Sequence, residues 1–134
     1  MQVTVEKLSP VLRDMLDKAA AATADDYDAA RRTTKRARQA LADFMSEFDA
    51  LLTPSAPSAA PGPETTGPAI FNRVWTLMGT PCVNVTGLND ARGLPLGVQI
   101  VGRFGRDHEA LLAAQFLENA IEAAGVSANT RIGM

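Results

Sequence analysis

Along the first third of the chain, apolar side chains recur in steps of three and four, the period of a helix with one face turned inward. Leu8, Val11, Leu12, Met15, Leu16 and Ala19 make one such stripe. It opens at Ser9-Pro10, where Ser suits a cap and Pro suits the first helical position. After a break near Ala22 and Thr23, the spacing resumes at Tyr27, Ala30, Thr34, Ala37, Leu41, Phe44 and Phe48. This predicts a second helix of about 25 residues, roughly 37 Å long at 1.5 Å per residue. Asp25, Asp26 and Asp28 stand in its first turns, where carboxylates favour the helix dipole.

The pattern then changes. Ala50-Leu51-Leu52-Thr53 reads as a short buried strand that ends at Pro54. Residues 54–68 carry Pro54, Pro57, Pro61, Pro63 and Pro68 with Gly62 and Gly67, which predicts an extended, turn-rich connector or the rim of a site. Ile70 to Met78 suits a short helix closed by Gly79 and Pro81. Cys82-Val83-Asn84-Val85 alternates like a strand, and Leu94 to Val101 makes a second one after the loop Asn89-Asp90-Ala91-Arg92-Gly93. Beyond a turn at Gly102 to Gly105, Asp107 is expected to cap a last helix striped by Leu112, Ala113, Phe116, Leu117, Ala120, Ile121 and Ala124. The expectation is a single α/β domain over residues 1–134, with a helical region and short strand in 1–53, a Pro-rich connector in 54–68 and a strand-strand-helix region in 69–134. No internal repeat is present.

Composition narrows the functional classes. At 134 residues and 46% hydrophobic content the chain has the size of one ordinary domain, able to remove roughly two thirds of its extended-chain surface from water. Tyr27, Trp75 and five Phe are the only aromatic residues, so a core must rely on Leu, Val, Ile and Ala, with modest burial per residue. A net charge of −2 gives no global attraction to nucleic acid or acidic membranes. A single cysteine, Cys82, excludes an internal disulfide and fits a reducing compartment. No stretch approaches the roughly 20 apolar residues of a membrane span, and the first residues have no apolar signal core. The expected location is cytoplasmic, with the sequon Asn84-Val85-Thr86 unglycosylated.

Each chemically suggestive group has a plain structural explanation beside it. Arg31, Arg32, Lys35, Arg36 and Arg38 make a basic run on the long helix, but no stacking aromatic or Gly-rich loop accompanies it, so it reads as a solvated face. Val101-Gly102-Arg103-Phe104-Gly105-Arg106-Asp107 joins a strand to a helix, where phosphate loops occur. It lacks the third glycine of a dinucleotide loop and the Gly-Lys-Ser/Thr ending of a phosphate loop, and reads as an ordinary turn with Arg103 and Arg106 in solvent. Cys82 lies in an apolar strand and is expected to be a buried, inert thiol. His108 is expected in solvent in a first helical turn. With one Cys and one His, a dedicated zinc site is not expected, nor is a cofactor. Spacing alone picks out no acid/base pair among the carboxylates, Asp25, Asp26 and Glu109 being explained by helix starts. Trp75 shares a short helix with Phe71 and Asn72 directly after the Pro-rich segment. An aromatic body with a polar handle can line a pocket, which makes Phe71, Asn72 and Trp75 the candidate substrate-binding residues, while the plainer reading takes Trp75 and Phe71 as simply the largest core residues.

The run from Phe71-Asn72-Arg73-Val74-Trp75-Thr76-Leu77-Met78-Gly79-Thr80-Pro81 through Leu94-Pro95-Leu96-Gly97-Val98-Gln99-Ile100-Val101-Gly102 to Asp107-His108-Glu109-Ala110-Leu111-Leu112 resembles the C-terminal part of the amidase signature family. Leu8-Ser9-Pro10-Val11-Leu12, the helix containing Tyr27, and Phe48-Asp49-Ala50-Leu51-Leu52-Thr53-Pro54 are similar to the same region, so the resemblance covers nearly the whole chain in order. It implies an α/β architecture with long helices packed on a small mixed β-sheet, part of a larger amidase fold, and a share in the wall of a substrate pocket. Family members hydrolyse amides with a Lys, a cis-configured Ser and a nucleophilic Ser in a Gly/Ser-rich segment of the N-terminal half. Here the serines are isolated at Ser9, Ser46, Ser55, Ser58 and Ser127, there is no Gly-Gly pair, and Lys7, Lys18 and Lys35 lie in the N-terminal region. No catalytic role carries over to any residue of this chain. The resemblance implies a portion of an amidase, inactive alone, whose substrate is a small amide only in the full-length context. A subunit that completes its active site with a separate N-terminal partner ranks next, and a non-catalytic helical interaction module third. Strand edges at 82–85 and 94–101 would belong to a larger sheet, so a homo-oligomer or pairing with the missing half is expected. Nucleic acid and membrane are not expected as partners.

Overall fold

Ser9 caps the first helix as its sequence suggests, its Oγ accepting a hydrogen bond from the Leu12 N–H at 3.3 Å. The computed structural model describes residues 8–125, and Lys7 and Ser127 lie outside them. The elements are α1 (Pro10–Ala20), α2 (Ala24–Phe44), a 3-10 turn (Met45–Glu47), β1 (Leu51–Pro54), α3 (Arg73–Met78), β2 (Cys82–Asn89), β3 (Pro95–Val101) and α4 (Asp107–Ala123). Contacts divide the chain into two compact units, one up to Arg36 and one from Ala37 onward, and the boundary falls within α2.

In the first unit, Thr23 and Asp26 cap α2 reciprocally. The Thr23 N–H and hydroxyl donate to the Asp26 carboxylate at 3.0 and 2.7 Å, and the Asp26 N–H donates to Thr23 Oγ1 at 3.1 Å. Two otherwise unpaired donors are satisfied, a capping box with Asp in place of Glu. These bonds, the Thr23 hydroxyl first, hold the Asp26 carboxyl below its ordinary pKa. The α1 stripe that the spacing would turn inward stays in water: Val11 is 72% and Met15 60% exposed. The period is helical, but among the described residues nothing covers that face. The Arg31 guanidinium lies 5.8 Å from the Tyr27 ring centroid, one turn away on α2.

The second unit holds the core. The long helix ends at Phe44 and tightens into the 3-10 turn, where Met45 is almost fully buried. Phe44 and Phe48 rest against each other at 5.1 Å between ring centroids and remain partly exposed. The sheet order is β1-β3-β2, with both pairings antiparallel. The α/β class is as expected, and the three strands present in this chain form a wholly antiparallel sheet. β3 is therefore the centre, while β1 and β2 are the edges. β1, expected to be buried, is an edge strand with Leu52 59% exposed, consistent with Pro54, which has no N–H to give a neighbour. β2 runs on past Val85 because Gly87 absorbs a bulge between Val85 and Leu88 at φ 129°, where a Cβ would also approach Ile121 Cγ2 to 2.7 Å. α3 ends as expected at Gly79, left-handed at φ 75°, whose N–H donates to the Trp75 carbonyl at 2.8 Å.

One sheet face packs on α4. Val85, Ile100 and Ala114 are buried together, with Val83, Val98, Ala113, Leu117 and Ile121 partly buried around them. A fully buried Val or Ile contributes about 1.5–3 kcal/mol relative to exposure, so these few positions anchor the helix. The side of α4 facing the sheet is Ala110, Ala113, Ala114, Leu117 and Ile121. It is offset from the stripe read in the sequence, since Leu112 and Phe116 point to solvent. Alanines win because the helix approaches closely: a Cβ on Gly102 would lie 2.7 Å from the Ala110 Cβ. Asp107 does not cap α4. The cap position falls on Arg106, with no side-chain bond to the helix end, and Asp107 is the first helical residue.

Candidate polar face and edge groove

Because directly paired residues project to the same side of a sheet, Thr53, Gln99 and Asn84 form one row across β1, β3 and β2. This row lies opposite the face that packs on α4. Gln99 is 3% exposed. Its Nε2 donates to the Pro54 carbonyl and to the Phe71 carbonyl, both at 3.1 Å. The Ser55 N–H donates to the Gly97 carbonyl at 3.2 Å, the Ser55 hydroxyl donates to Asn84 Oδ1, and Asn72 Nδ2 donates to the Ser55 carbonyl at 3.2 Å. Gly97 makes room for this arrangement, since a Cβ there would collide with the Asn84 amide. The stretch from Pro54 to Asn72, which contains the Pro-rich segment, thus starts and ends on the polar face of the sheet.

Of the three candidate binding residues, Asn72 is bonded into this cluster, and Phe71 is tied to it through its carbonyl. Trp75 is half-buried one turn further along α3. Their register on one short helical segment is set by the Asn72 and Arg73 N–H groups, which donate to the Ala69 carbonyl at 3.2 and 3.0 Å. Gln99 is the residue that sequence reasoning missed. The available signal was a lone amide in the otherwise apolar run Leu94 to Val101.

The chemistry open to these groups is recognition. A serine becomes a nucleophile when a base takes its proton, and the partner of the Ser55 hydroxyl is an amide oxygen. Cys82 is exposed, against the expectation of burial, because β2 is an edge. Partial desolvation still raises its pKa, which keeps the thiol protonated at neutral pH. His108 is exposed on the first turn of α4. Arg103 departs from the solvated reading: it is half-buried, reaches Asp49 at 3.7 Å, and its Nε is buried without a partner. Arg106 pairs with Glu109 at 3.1 Å. Among the described residues no group of three or more His, Cys, Asp or Glu side chains comes together to hold a metal ion, and no helix is long and apolar enough to cross a membrane.

A second feature lies along the outer edge of β2. A groove of about 410 Å³ runs between that edge and α4, lined by Val83, Val85, His108, Leu111, Leu112 and Glu118 among others. Leu111 in this lining is 58% exposed, and Phe116 on the same helix is 76% exposed.

Known proteins are similar to this chain in sequence and in fold. The family model described as Amidase matches residues 2–111. A glutamyl-tRNA(Gln) amidotransferase subunit from Rhodospirillum rubrum is 39% identical over 122 residues, covering 82% of this chain and 24% of that protein. Its counterpart from Roseobacter denitrificans is 38% identical over 108 residues, covering 71% of this chain and 21% of its own length. A solved structure described as a crystal structure of amidase superposes with a TM-score of 0.78 at 28% identity, covering 86% of this chain and 29% of that one. The chain spans about a fifth to a quarter of the length of these curated relatives. By the extent of the family match and the order of its elements, the chain belongs to the amidase family.

Proposed function

We propose that the chain is the C-terminal portion of an amidase, that Phe71, Asn72 and Trp75 form part of the wall of its substrate pocket, and that it does not hydrolyse amides by itself. The observation that carries this reading is the polar face. It fastens the segment bearing the three residues to the central strand, yet offers no base to its one serine. Acyl transfer needs an activated nucleophile and an oxyanion site, worth several kcal/mol of barrier each, and these belong to amidase sequence outside this chain. The substrate is a small amide whose acyl part meets the Phe71 and Trp75 rings. The partner is the remaining amidase portion, covalently linked or separately encoded. The open β2 edge and the apolar side of α4 favour such a partner, because a free edge beside exposed Leu and Phe is a surface that sheets cover. Nucleic acid and membrane are not assigned as partners, and the site of action is the cytoplasm, where the exposed Cys82 stays reduced.

The test is hydrolysis of a panel of simple amides by the purified chain, alone and after co-expression with the Gly/Ser-rich, Lys-bearing half of a related amidase. The expected result is no turnover alone and amide hydrolysis with the partner. Turnover by the chain alone that survives stringent repurification overturns the proposal.

A further inference from the structure

The segment from Pro54 to Phe71 leaves the sheet and comes back to it at one side chain. The Gln99 carboxamide donates to the carbonyl at each end of that segment, 3.1 Å in both cases, from a position that water does not reach. An amide has two N–H donors, and the Gln99 Nε2 reaches both backbone oxygens. Ser55 and Asn72, each the next residue after one of those carbonyls, add a second tie through the Ser55 carbonyl, and Asn84 holds the Ser55 hydroxyl. Closing such a loop costs conformational entropy that grows with its length. The five prolines lower that cost by stiffening the unfolded segment, but they donate nothing to the sheet, so closure falls to these side chains and to the Ser55 N–H on the Gly97 carbonyl.

We infer that Gln99 is a positioning residue: its carboxamide clamps both ends of the Pro-rich loop and thereby presents Phe71, Asn72 and Trp75 as one preformed surface. The inference rests on the reading of those three residues as a pocket wall, but the clamp itself is measurable without any substrate. Gln is required on donor count. Glu of the same length carries no N–H and places a charge against two carbonyl oxygens, whereas Asn is one methylene too short to span them.

Hydrogen exchange of the full 134-residue chain tests it. In Gln99→Glu at neutral pH the amides of Ser55, Asn72 and Arg73 are expected to exchange at least tenfold faster, while those of Val83 and Ile100 in the sheet keep their protection. Lowering the pH until the introduced carboxyl binds a proton gives it one O–H donor, and part of the lost protection is expected to return after correction for intrinsic exchange. Gln99→Met, which fills similar space without donors, is expected to loosen the same three amides without the pH-dependent recovery. Unchanged protection at residues 55–73 in Gln99→Met overturns the inference, and so does equal loosening of loop and sheet. Loss of loop protection combined with an unchanged KM for Trp75→Ala in a reconstituted amidase refutes the pocket wall and leaves the clamp standing.

Discussion

Arg38 on α2 donates to the Leu77 carbonyl from Nε at 3.2 Å and from Nη2 at 2.7 Å, so that one guanidinium closes the C-terminal end of α3. The last carbonyls of a helix have no partner within it, and a helix of six residues has few turns over which to share that deficit. A cation is also favoured there by the helix dipole. Part of the basic run is thus structural, and Arg38 is the member that the reading as a solvated face did not separate. Arg38→Ala is expected to lower stability by about 1 kcal/mol, below the usual value for a charged hydrogen bond because the side chain is exposed. Arg38→Lys should restore less than half of the loss, since an ammonium lacks the two-nitrogen fork. Urea denaturation of the three proteins measures this.

Gly102 is expected to tolerate no side chain. A Cβ there would stand 2.7 Å from Ala110 Cβ and 3.0 Å from Pro81 Cγ, and the Gly102 N–H is fixed to the Pro81 carbonyl at 2.9 Å. Gly102→Ala should therefore destabilise by about 1–3 kcal/mol through overpacking. Adding Ala110→Gly should recover part of that loss, although glycine inside a helix itself costs about 1 kcal/mol. Thermal melts of the single and double variants give the coupling, and strict additivity would rule out the contact as the cause.

The sequence made the helices and the order of elements legible because periods of 3.6 and 2 are local, as are the Ser9 cap, the Thr23 break and the Gly79 stop. It did not reveal which face of α4 packs, since Leu112 and Phe116 are as apolar as Leu117 and Ile121, and only the close approach at Gly102 selects the alanines. The exposure of Cys82 was hidden for a related reason: an edge strand and a central strand have the same alternation. The hydrogen bonds of Gln99 were not legible, because its partners are carbonyls 45 and 28 residues distant in sequence.

The β2–β3 turn is expected to weaken in acid. Asp90 Oδ1 accepts from the Leu94 and Arg92 N–H groups at 2.9 Å, and Oδ2 accepts from Arg92 Nε at 2.9 Å. The Leu94 bond first, then those of Arg92, hold the Asp90 carboxyl below its ordinary pKa. A depressed folded pKa means that the unfolded chain takes up the proton more readily. The stabilisation is therefore fully present above the unfolded value of about 3.9 and is lost as pH falls through the folded value. Asp90→Asn keeps an oxygen for both N–H groups but cannot titrate. The stability gap between wild type and this variant should be constant above about pH 5 and shrink towards about pH 2.5. Denaturation series across that range check the sign, and a gap that widens in acid would refute it.

Trp75 should govern affinity more than turnover. In an active assembly with the remaining amidase portion, Trp75→Ala is expected to raise KM for an amide with a bulky apolar acyl group about tenfold, equivalent to about 1.4 kcal/mol, and to leave kcat within about twofold. For an acetyl-sized acyl group both constants should stay near wild type, because the ring then has nothing to cover. An equal fall in kcat for both substrates would mean that Trp75 supports the fold and does not line the pocket.

Phe116 provides the test of the open side of α4. It is 76% exposed on α4, and Leu111 and Leu112, which line the groove along β2, are also in water. A strand edge with unpaired N–H and C=O groups recruits another strand, and an adjoining apolar surface adds to the area gained. For the chain alone in solution the matching surface belongs to a second copy, so light scattering should show a mass that rises with concentration. Phe116→Glu places a charge on that surface at a position that makes little contact within the chain. It should leave the thermal melt of the dilute protein unchanged and shift the mass towards the monomer. Co-expression with the remaining amidase portion should remove the self-association in the wild type as well, because both partners would compete for the same edge. A wild-type chain that stays monomeric over a hundredfold concentration range would exclude self-pairing at this edge.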